Sequence, residues 1–477
     1  MPDEASGSHR VARVLGVSAV LVFAAIFLAP MLKTGYISDD VVSSLMPGMT
    51  KFTGQSVVSR TLSHMRSSML EGRFYPLVWL QYYAVFFSLQ NVLLYKSFIL
   101  AMVLLDLLLF VVFVRMSARD DGLALLAATL TVPLFQFRAF FDPILAFHGL
   151  LQFIVAGILL SLLSLQRFLE GRGRVWLVLS VMTFLACCLA YEVCYPLVFL
   201  YVPSIASGCR DWRSRWTTFR PYLTAVGACV TLSILMRWLH PSPSYIHGVS
   251  HDPSAIVVAM ATQTSSALPL SYFLADPAGL FTDAHGFSAI LRWMARPDAG
   301  IVTALASLVV GICLRSRPAA LAETVPAVPS GRLGVLPQVG LLLAVLPAVM
   351  IAISSRYQAQ IRFGKGYLPV YVQYFGVGLL LAWLIRSALD RLASRVALTR
   401  VARVALTVVV GITTCLTYRA NCTTAVGLVS PPGSRTFNQE AAWNDGIWHD
   451  RRNNLEAALH AGLLDDVPEH SQVILEN

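Results

Sequence analysis

The chain has 477 residues, of which 56% are hydrophobic and only 13% are charged, and its mean hydropathy is +0.65. Ordinary soluble domains carry roughly 25% charged residues. The composition therefore excludes a typical soluble protein and predicts a polytopic integral membrane protein. The net charge of +10 does not predict a nucleic-acid partner, because most of the excess is arginine in short loops, where it sets membrane topology.

Apolar stretches of near twenty residues predict transmembrane helices. In chain order they are 12–32, 92–114, 122–136, 145–166, 175–191, 193–208, 222–238, 299–314, 336–354, 369–385 and 402–418. The apolar stretches 74–90 and 255–274 are interrupted by polar or proline residues, which favours interfacial or half-inserted helices. The predicted fold class is an all-α polytopic membrane protein with about 11 transmembrane helices.

Arginines cluster in every second loop, and this asymmetry predicts which loops are cytoplasmic. It gives a multi-pass protein with a cytoplasmic N-terminus and a periplasmic C-terminus. Residues 1–420 are then the transmembrane domain. Its long polar segments, the first outer loop at 33–91 with interfacial helices and the large outer loop at 239–298, lie on the outer side.

The tail, 421–477, is predicted to be a small α/β periplasmic appendage. Leu455, Ala458, Leu459 and Leu463 have helical spacing, and residues 472–475 favour a short strand. Asn421-Cys422-Thr423 also matches a glycosylation sequon.

An acidic pair, Asp39-Asp40, opens the first outer loop. A positioned carboxylate can take the proton of an attacking hydroxyl group, so either acid is a candidate general base. Neighbouring residues of a helix point about 100° apart, and only one acid is expected to reach the acceptor. The alternative is structural: Ser38 is a natural N-cap, and acids suit the first turn of a helix.

Arg73 follows Gly72 and precedes Pro76. Its planar guanidinium can bind a phosphate bidentately. The alternative is that Gly72 ends one helix and Pro76 begins the next, which explains the segment by structure alone.

Arg138, His148 and Glu192 are further candidates for a polar site at the outer face. Arg138 and Asp142 share a short loop, and His148 lies just inside the next span; the alternative for the loop is a plain Arg138–Asp142 ion pair. Glu192 lies between two spans, where an ionisable group has a partner or a function. Its alternative is a structural pair with an outer arginine.

The loop 355–367 carries Arg356, Arg362 and Lys365 on the predicted outer side. The positive-inside rule disfavours cations there. A lipid-phosphate leaving group would explain them, since cations stabilise the charge that develops as a sugar–phosphate bond breaks. The alternative is contact with anionic lipid headgroups. Asp106, deep in the second span, fits neither explanation and favours a transporter.

The sequence contains no P-loop and no G-x-G-x-x-G after a strand, so no nucleotide-binding fold is indicated. Its eight cysteines lie in or beside apolar spans and form no zinc-type spacing. The residues thus indicate no cofactor site, and an activated sugar would have to be carried by a lipid.

The acidic pair, the segment Gly72-Arg73-Phe74-Tyr75-Pro76 and Tyr191-Glu192 at an outer helix end together resemble the GT-C membrane glycosyltransferases. The polyprenyl-phosphate-sugar-dependent bacterial type is the most similar, and the phrases at 366–371 and 467–473 resemble it too. The resemblance implies an inverting sugar transfer in which Asp39 or Asp40 is the general base. The metal-dependent branch of that family has more acidic motif residues than this chain, so the resemblance implies an enzyme without a metal.

The function expected from the residues and the resemblance is transfer of a sugar from a polyprenyl-phosphate donor to an envelope glycan or lipid acceptor. It would take place on the outer face of the inner (plasma) membrane. The expected substrate-binding residues are Arg73, Arg138, His148, Glu192, Arg356, Arg362 and Lys365. Two alternatives stay open. One is a polysaccharide polymerase or ligase that uses diphosphate-linked glycans, with Arg237, His240, His247 and His251 in its site; the other is a membrane transporter that uses Asp106 and Glu192.

Overall fold

A computed structural model of the chain describes residues 3–138, 141–240, 250–275, 292, 295–315, 334–429, 458–463 and 465–468. These residues are mainly helical and include no strand. The helices are α1 (Asp3–Leu28), α2 (Asp39–Ser43), α3 (Met46–Thr53), α4 (Val57–Leu70), α5 (Pro76–Ser88), α6 (Val92–Ala118), α7 (Asp121–Thr131), α8 (Leu150–Leu169), α9 (Arg174–Ala190), α10 (Tyr201–Gly208), α11 (Trp212–Leu239), α12 (Pro253–Ser265), α13 (Ser271–Ala275), α14 (Pro297–Arg315), α15 (Val335–Val345), α16 (Pro347–Ala352), α17 (Ser355–Gln360), α18 (Val370–Arg391) and α19 (Val396–Val429).

Eight helical segments of the described chain are long and apolar enough to cross a membrane. They are Val11–Lys33, Val92–Ala118, Phe147–Leu169, Trp212–Leu239, Pro297–Leu314, Val335–Ala352, Val370–Arg391 and Val396–Leu428. The prediction of an all-α polytopic membrane protein is thereby confirmed. The other three predicted spans are also helical but shorter: Asp121–Leu134, Arg174–Ala190 and Glu192–Gly208.

The shortest of these segments, Asp121–Leu134, has a structural reason for its length. At 1.5 Å per residue it is about 21 Å long, less than the roughly 30 Å of a bilayer's hydrocarbon core. All of its residues from Gly122 onward are buried, and α7 packs against α1, α6, α14 and α18. Because protein surrounds it, its ends need not reach water on both sides.

The chain leaves this segment as buried, non-helical backbone at Phe135–Arg138, where unpaired amides would be costly. Asn421 of α19 supplies partners. Its Oδ1 accepts from the amide of Phe137 and its Nδ2 donates to the carbonyl of Phe135, both at 2.8 Å. The predicted sequon is therefore wrong as a glycosylation site, because Asn421 is fully buried and its side chain is already used.

The predicted boundary between residues 420 and 421 falls inside α19, which continues to Val429. The strand predicted at 472–475 lies outside the described residues, and so does most of the appendage. In the large outer loop, α12 and α13 replace the single interrupted helix predicted at 255–274. Residues 241–249, 276–291 and 293–294 of that loop lie outside the described residues.

Candidate functional site

The two acids of the first outer loop lie on α2 but face different surroundings. The side chain of Asp39 is exposed, whereas that of Asp40 is only 1% exposed. Among the described residues, neither carboxylate bonds to an amide of α2. Ser38 has a φ of 55°, whereas an N-cap residue is normally extended. The N-cap predicted at Ser38 is therefore wrong, whereas both acids do lie in the first turn of α2, as the structural alternative predicted.

Asp40 is an anchor between three parts of the chain. It accepts a short hydrogen bond from the Tyr95 hydroxyl of α6 and, at 3.1 Å, one from the amide of Phe147. The Tyr95 oxygen in turn accepts from the amide of His148 at 3.1 Å. Burial raises the pKa of Asp40 to about 7, and the hydrogen bond from Tyr95 and the charge of Lys96 limit the rise. Asp40 is thus held by the protein and does not face an acceptor.

The backbone that Asp40 binds is strained. Phe147, His148 and Gly149 have φ values of 65°, 44° and 77°, a left-handed conformation that non-glycine residues rarely adopt and that costs free energy. Gln81 of α5 also donates to the His148 carbonyl at 3.2 Å. Strain of this kind clusters at functional sites. It places the His148 ring against Tyr82, with ring centroids 5.3 Å apart.

Lys96 is a buried cation that the sequence interpretation missed. Its Nζ donates to the carbonyl of Leu145 at 2.5 Å, and it lies within electrostatic range of both Asp40 and Asp142. A lysine inside an apolar span, like Asp106, indicates a residue that has a partner or a function. Lys96 therefore compensates the buried acids and fixes the segment between α7 and α8.

Arg138 is fully buried and bonds to backbone and tyrosine rather than to Asp142. Its guanidinium donates to the carbonyl of Lys365, to that of Ser266 at 2.9 Å, and to the Tyr374 hydroxyl at 3.0 Å. The described ion pairs do not include Arg138 with Asp142; instead the Arg138 amide donates to that carboxylate at 2.5 Å. The predicted ion pair is wrong. The guanidinium of Arg138 instead stabilises the loop 361–369 through its hydrogen bond to the Lys365 carbonyl.

Asp142 has a similar structural position. It accepts from the amides of Arg138, Ile144 and Leu145 at 2.5, 2.6 and 2.7 Å. Burial raises its pKa, and these three amides oppose the rise. The carboxylate therefore organises the irregular loop before α8.

The loop 361–369 is held tightly against α12 and α13. The Gln263 side chain accepts from the Tyr367 amide at 2.8 Å and donates to the Tyr367 carbonyl at 3.1 Å. Gly364 has a φ of 77°, and a Cβ there would lie 2.3 Å from the carbonyl oxygen of Ser271. The backbones of the loop and of α13 therefore approach each other closely at this glycine. Lys365 is half-buried, whereas Arg356 and Arg362 are exposed.

Arg73 and Glu192 are brought together as an ion pair at 3.6 Å, and Arg237 of α11 approaches the other Glu192 oxygen at 3.7 Å. The Arg73 guanidinium also lies over the Tyr75 ring, 4.5 Å from its centroid. Glu192 therefore has the arginine partner that its structural alternative predicted. Two arginines share one carboxylate, so this arginine pair (Arg73 and Arg237) keeps one net positive charge.

A tyrosine cluster, Tyr191, Tyr357 and Tyr367, lies within electrostatic range of both Asp39 and Arg73. The ring centroids of Tyr357 and Tyr367 are 4.6 Å apart, and Tyr357 and Tyr191 are within electrostatic range of Arg73. Burial raises the pKa of Tyr367, and the charge of Asp39 adds to the rise. The cluster therefore connects the exposed acid with the arginine pair.

The described residues contain no group of three or more His, Cys, Asp or Glu that could hold a metal ion. Both oxygens of Asp40 are used by Tyr95 and Phe147.

The titration of Asp40 predicts a pH dependence of stability. A free aspartate titrates near 3.8 and Asp40 at about 7, so between these values the folded protein holds a proton that the unfolded chain has released. The contribution of Asp40 to the free energy of unfolding is greatest below pH 4. It is lost as the pH rises to 7, by at most about 1.4 kcal/mol per pH unit. Asp40→Asn, a neutral mimic of the protonated form, is expected to flatten the melting-temperature profile between about pH 4 and 7. Parallel profiles would contradict this.

Comparison with known proteins adds no relative: no family model, no curated protein and no solved structure matches the chain.

Proposed function

We propose that this chain is a membrane sugar transferase that uses a polyprenyl-phosphate-linked donor at the predicted outer face. The acceptor is an envelope glycan or lipid. The observation that carries the proposal is the arrangement of an exposed carboxylate, Asp39, a tyrosine cluster and a net positive arginine pair in one region. The likeness of the sequence motifs to GT-C glycosyltransferases supports the same activity.

Asp39 is the general base in this mechanism. Its carboxylate is exposed and has no hydrogen bond or ion pair among the described residues, yet the surrounding atoms raise its pKa by desolvation. A raised pKa suits a base that works near neutral pH. Asp39 takes the proton of the acceptor hydroxyl, the acceptor oxygen bonds to the anomeric carbon, and the bond from that carbon to the phosphate oxygen breaks with inversion.

Asp40 is a positioning residue in this mechanism. Through Tyr95 and the amide of Phe147 it fixes the strained turn that holds His148 beside Tyr82. His148 and Tyr82 shape the acceptor side. Aromatic side chains commonly line small-molecule sites and offer apolar faces to the substrate.

The arginine pair receives the lipid phosphate. As the sugar–phosphate bond breaks, negative charge grows on the phosphate, and preorganised cations stabilise it. Glu192 orients Arg73 and Arg237. Arg356, whose guanidinium carbon lies 6.0 Å from the centroid of the Tyr357 ring, adds positive charge to the phosphate site. Arg362 and Lys365 lie in the neighbouring loop and contact the headgroup region.

The second candidate function is transport, which Asp106 favours. This acid is buried in α6 and accepts from the Tyr371 hydroxyl at 2.7 Å, while its other oxygen has no hydrogen-bond partner. Buried acids in membrane spans often mark transport pathways.

The test is to compare lipid-linked sugars and envelope glycans, by mass spectrometry, between a deletion strain and the same strain with the gene restored. A transferase predicts loss of one sugar mass from the glycan and accumulation of its monophosphate-linked donor. Accumulation of a diphosphate-linked glycan would indicate the polymerase or ligase instead. Loss of the glycan with Asp106→Asn but not with Asp39→Asn would indicate transport.

A further inference from the structure

A cleft of about 740 Å³ opens between α14 and α19, far from the proposed site. Arg403, in the cleft, precedes Asn421 by 18 residues of the same helix, which is about 27 Å along the helix axis. Asn421 binds the segment 135–138, which contains Arg138. The cleft therefore lies at the opposite end of the bundle, on the predicted cytoplasmic side.

The cleft forms because α14 and α19 are in contact at Ser307 and Gly411 but are further apart one helical turn away, at Gly311. A Cβ on Gly411 would lie 3.0 Å from the Ser307 hydroxyl oxygen, so the helices are in close contact there. Gly311 follows Ser307 by one helical turn, and a Cβ on it would have no atom within 4 Å. The space begins at Gly311 and continues toward Arg400.

The lining of the cleft is amphipathic. Its apolar walls include Leu308, Ile312 and Val404, which are 59%, 44% and 60% exposed. Arg400 and Arg403 lie at one end. The Nε of Arg403 is buried without a hydrogen-bond partner, and no ion pair found among the described residues includes either arginine.

We propose that this cleft binds an anionic phospholipid. The two guanidinium groups provide a positive site for the headgroup phosphate. The apolar walls provide the surface for an acyl chain. The volume lies within the roughly 300–1,000 Å³ of typical ligand sites, and basic pockets between helices at a cytoplasmic face suit anionic headgroups.

The experiment is native mass spectrometry of the full chain, released from mixed vesicles of phosphatidylglycerol and phosphatidylcholine. Wild type is expected to retain phosphatidylglycerol at least fivefold more than phosphatidylcholine. Arg403→Gln with Arg400→Gln is expected to remove that preference. Arg395→Gln, an exposed arginine outside the cleft, is the matched control and is expected to keep it.

A second variant tests the apolar part of the site without touching the charges. Gly311→Phe fills the open space, and we expect it to reduce retention of both lipids at least fivefold. Equal retention of the two lipids by wild type would overturn the proposal, and so would an unchanged preference in the double arginine variant. Competition by inorganic phosphate with no effect of Gly311→Phe would indicate a free anion site and would also overturn it.

Discussion

Asp39→Asn is expected to lower the rate of sugar transfer by roughly 10²- to 10⁴-fold, the usual contribution of a general base. The amide has nearly the same shape as the carboxylate but cannot take a proton from the acceptor hydroxyl. In a deletion strain that expresses the variant at the wild-type level, the envelope glycan should lack the transferred sugar. The measurement is the mass spectrum of the glycan.

Asp252→Asn is the matched control for this variant. Asp252 is an exposed acid that caps α12, and asparagine caps helices about as well. It should restore the full glycan. A complete glycan with Asp39→Asn as well would remove the basis for a catalytic role of this acid.

Asp40→Ala is expected to destabilise the protein by about 2–5 kcal/mol. It leaves two buried donors, the Tyr95 hydroxyl and the Phe147 amide, without their acceptor, at roughly 1–3 kcal/mol each. It also removes one of the two acids near the buried Lys96. The measurement is thermal unfolding of the purified protein in detergent, where the melting temperature should fall by several degrees.

The adjacent acid provides the control for this prediction. Asp39→Ala changes an exposed side chain and should alter stability by no more than about 0.5 kcal/mol. Tyr95→Phe should also destabilise the protein, and the double variant with Asp40→Ala should cost less than the sum, since both remove the same bond. Equal losses for Asp39→Ala and Asp40→Ala would contradict the assignment of Asp40 as the anchor.

The helices were predictable from the sequence because lipid-facing and core-facing residues are both apolar. Long apolar stretches predict helices at 92–114 and 369–385, and the structure has helices at Val92–Ala118 and Val370–Arg391. The same property hides the difference between a spanning helix and an enclosed one. Segment 121–134 is largely apolar, so its sequence predicts a membrane-spanning helix. In the structure it is a short buried helix. Only its tertiary neighbours distinguish the two cases.

The site was predictable in its residue types but not in their roles. Glu192 in an apolar setting indicated a cationic partner, and Arg73 and Arg237 provide it. The roles of Asp39 and Asp40 could not be separated, because the contacts of Asp40 come from residues 55 and 107 positions away. Lys96 could have been found from its charge within a span. Asn421 could not, because a buried amide and a surface sequon look alike in sequence.

The most direct test of the central claim is the initial rate of sugar transfer by the purified protein in liposomes. The donor is the lipid-linked sugar extracted from the deletion strain, and the proteins compared are wild type, Asp39→Asn and Asp252→Asn. We predict release of polyprenyl phosphate and a labelled acceptor with wild type and Asp252→Asn, and a rate at least 100-fold lower with Asp39→Asn, in line with the loss of a general base. Equal rates for all three proteins would contradict the assignment of Asp39 as the base.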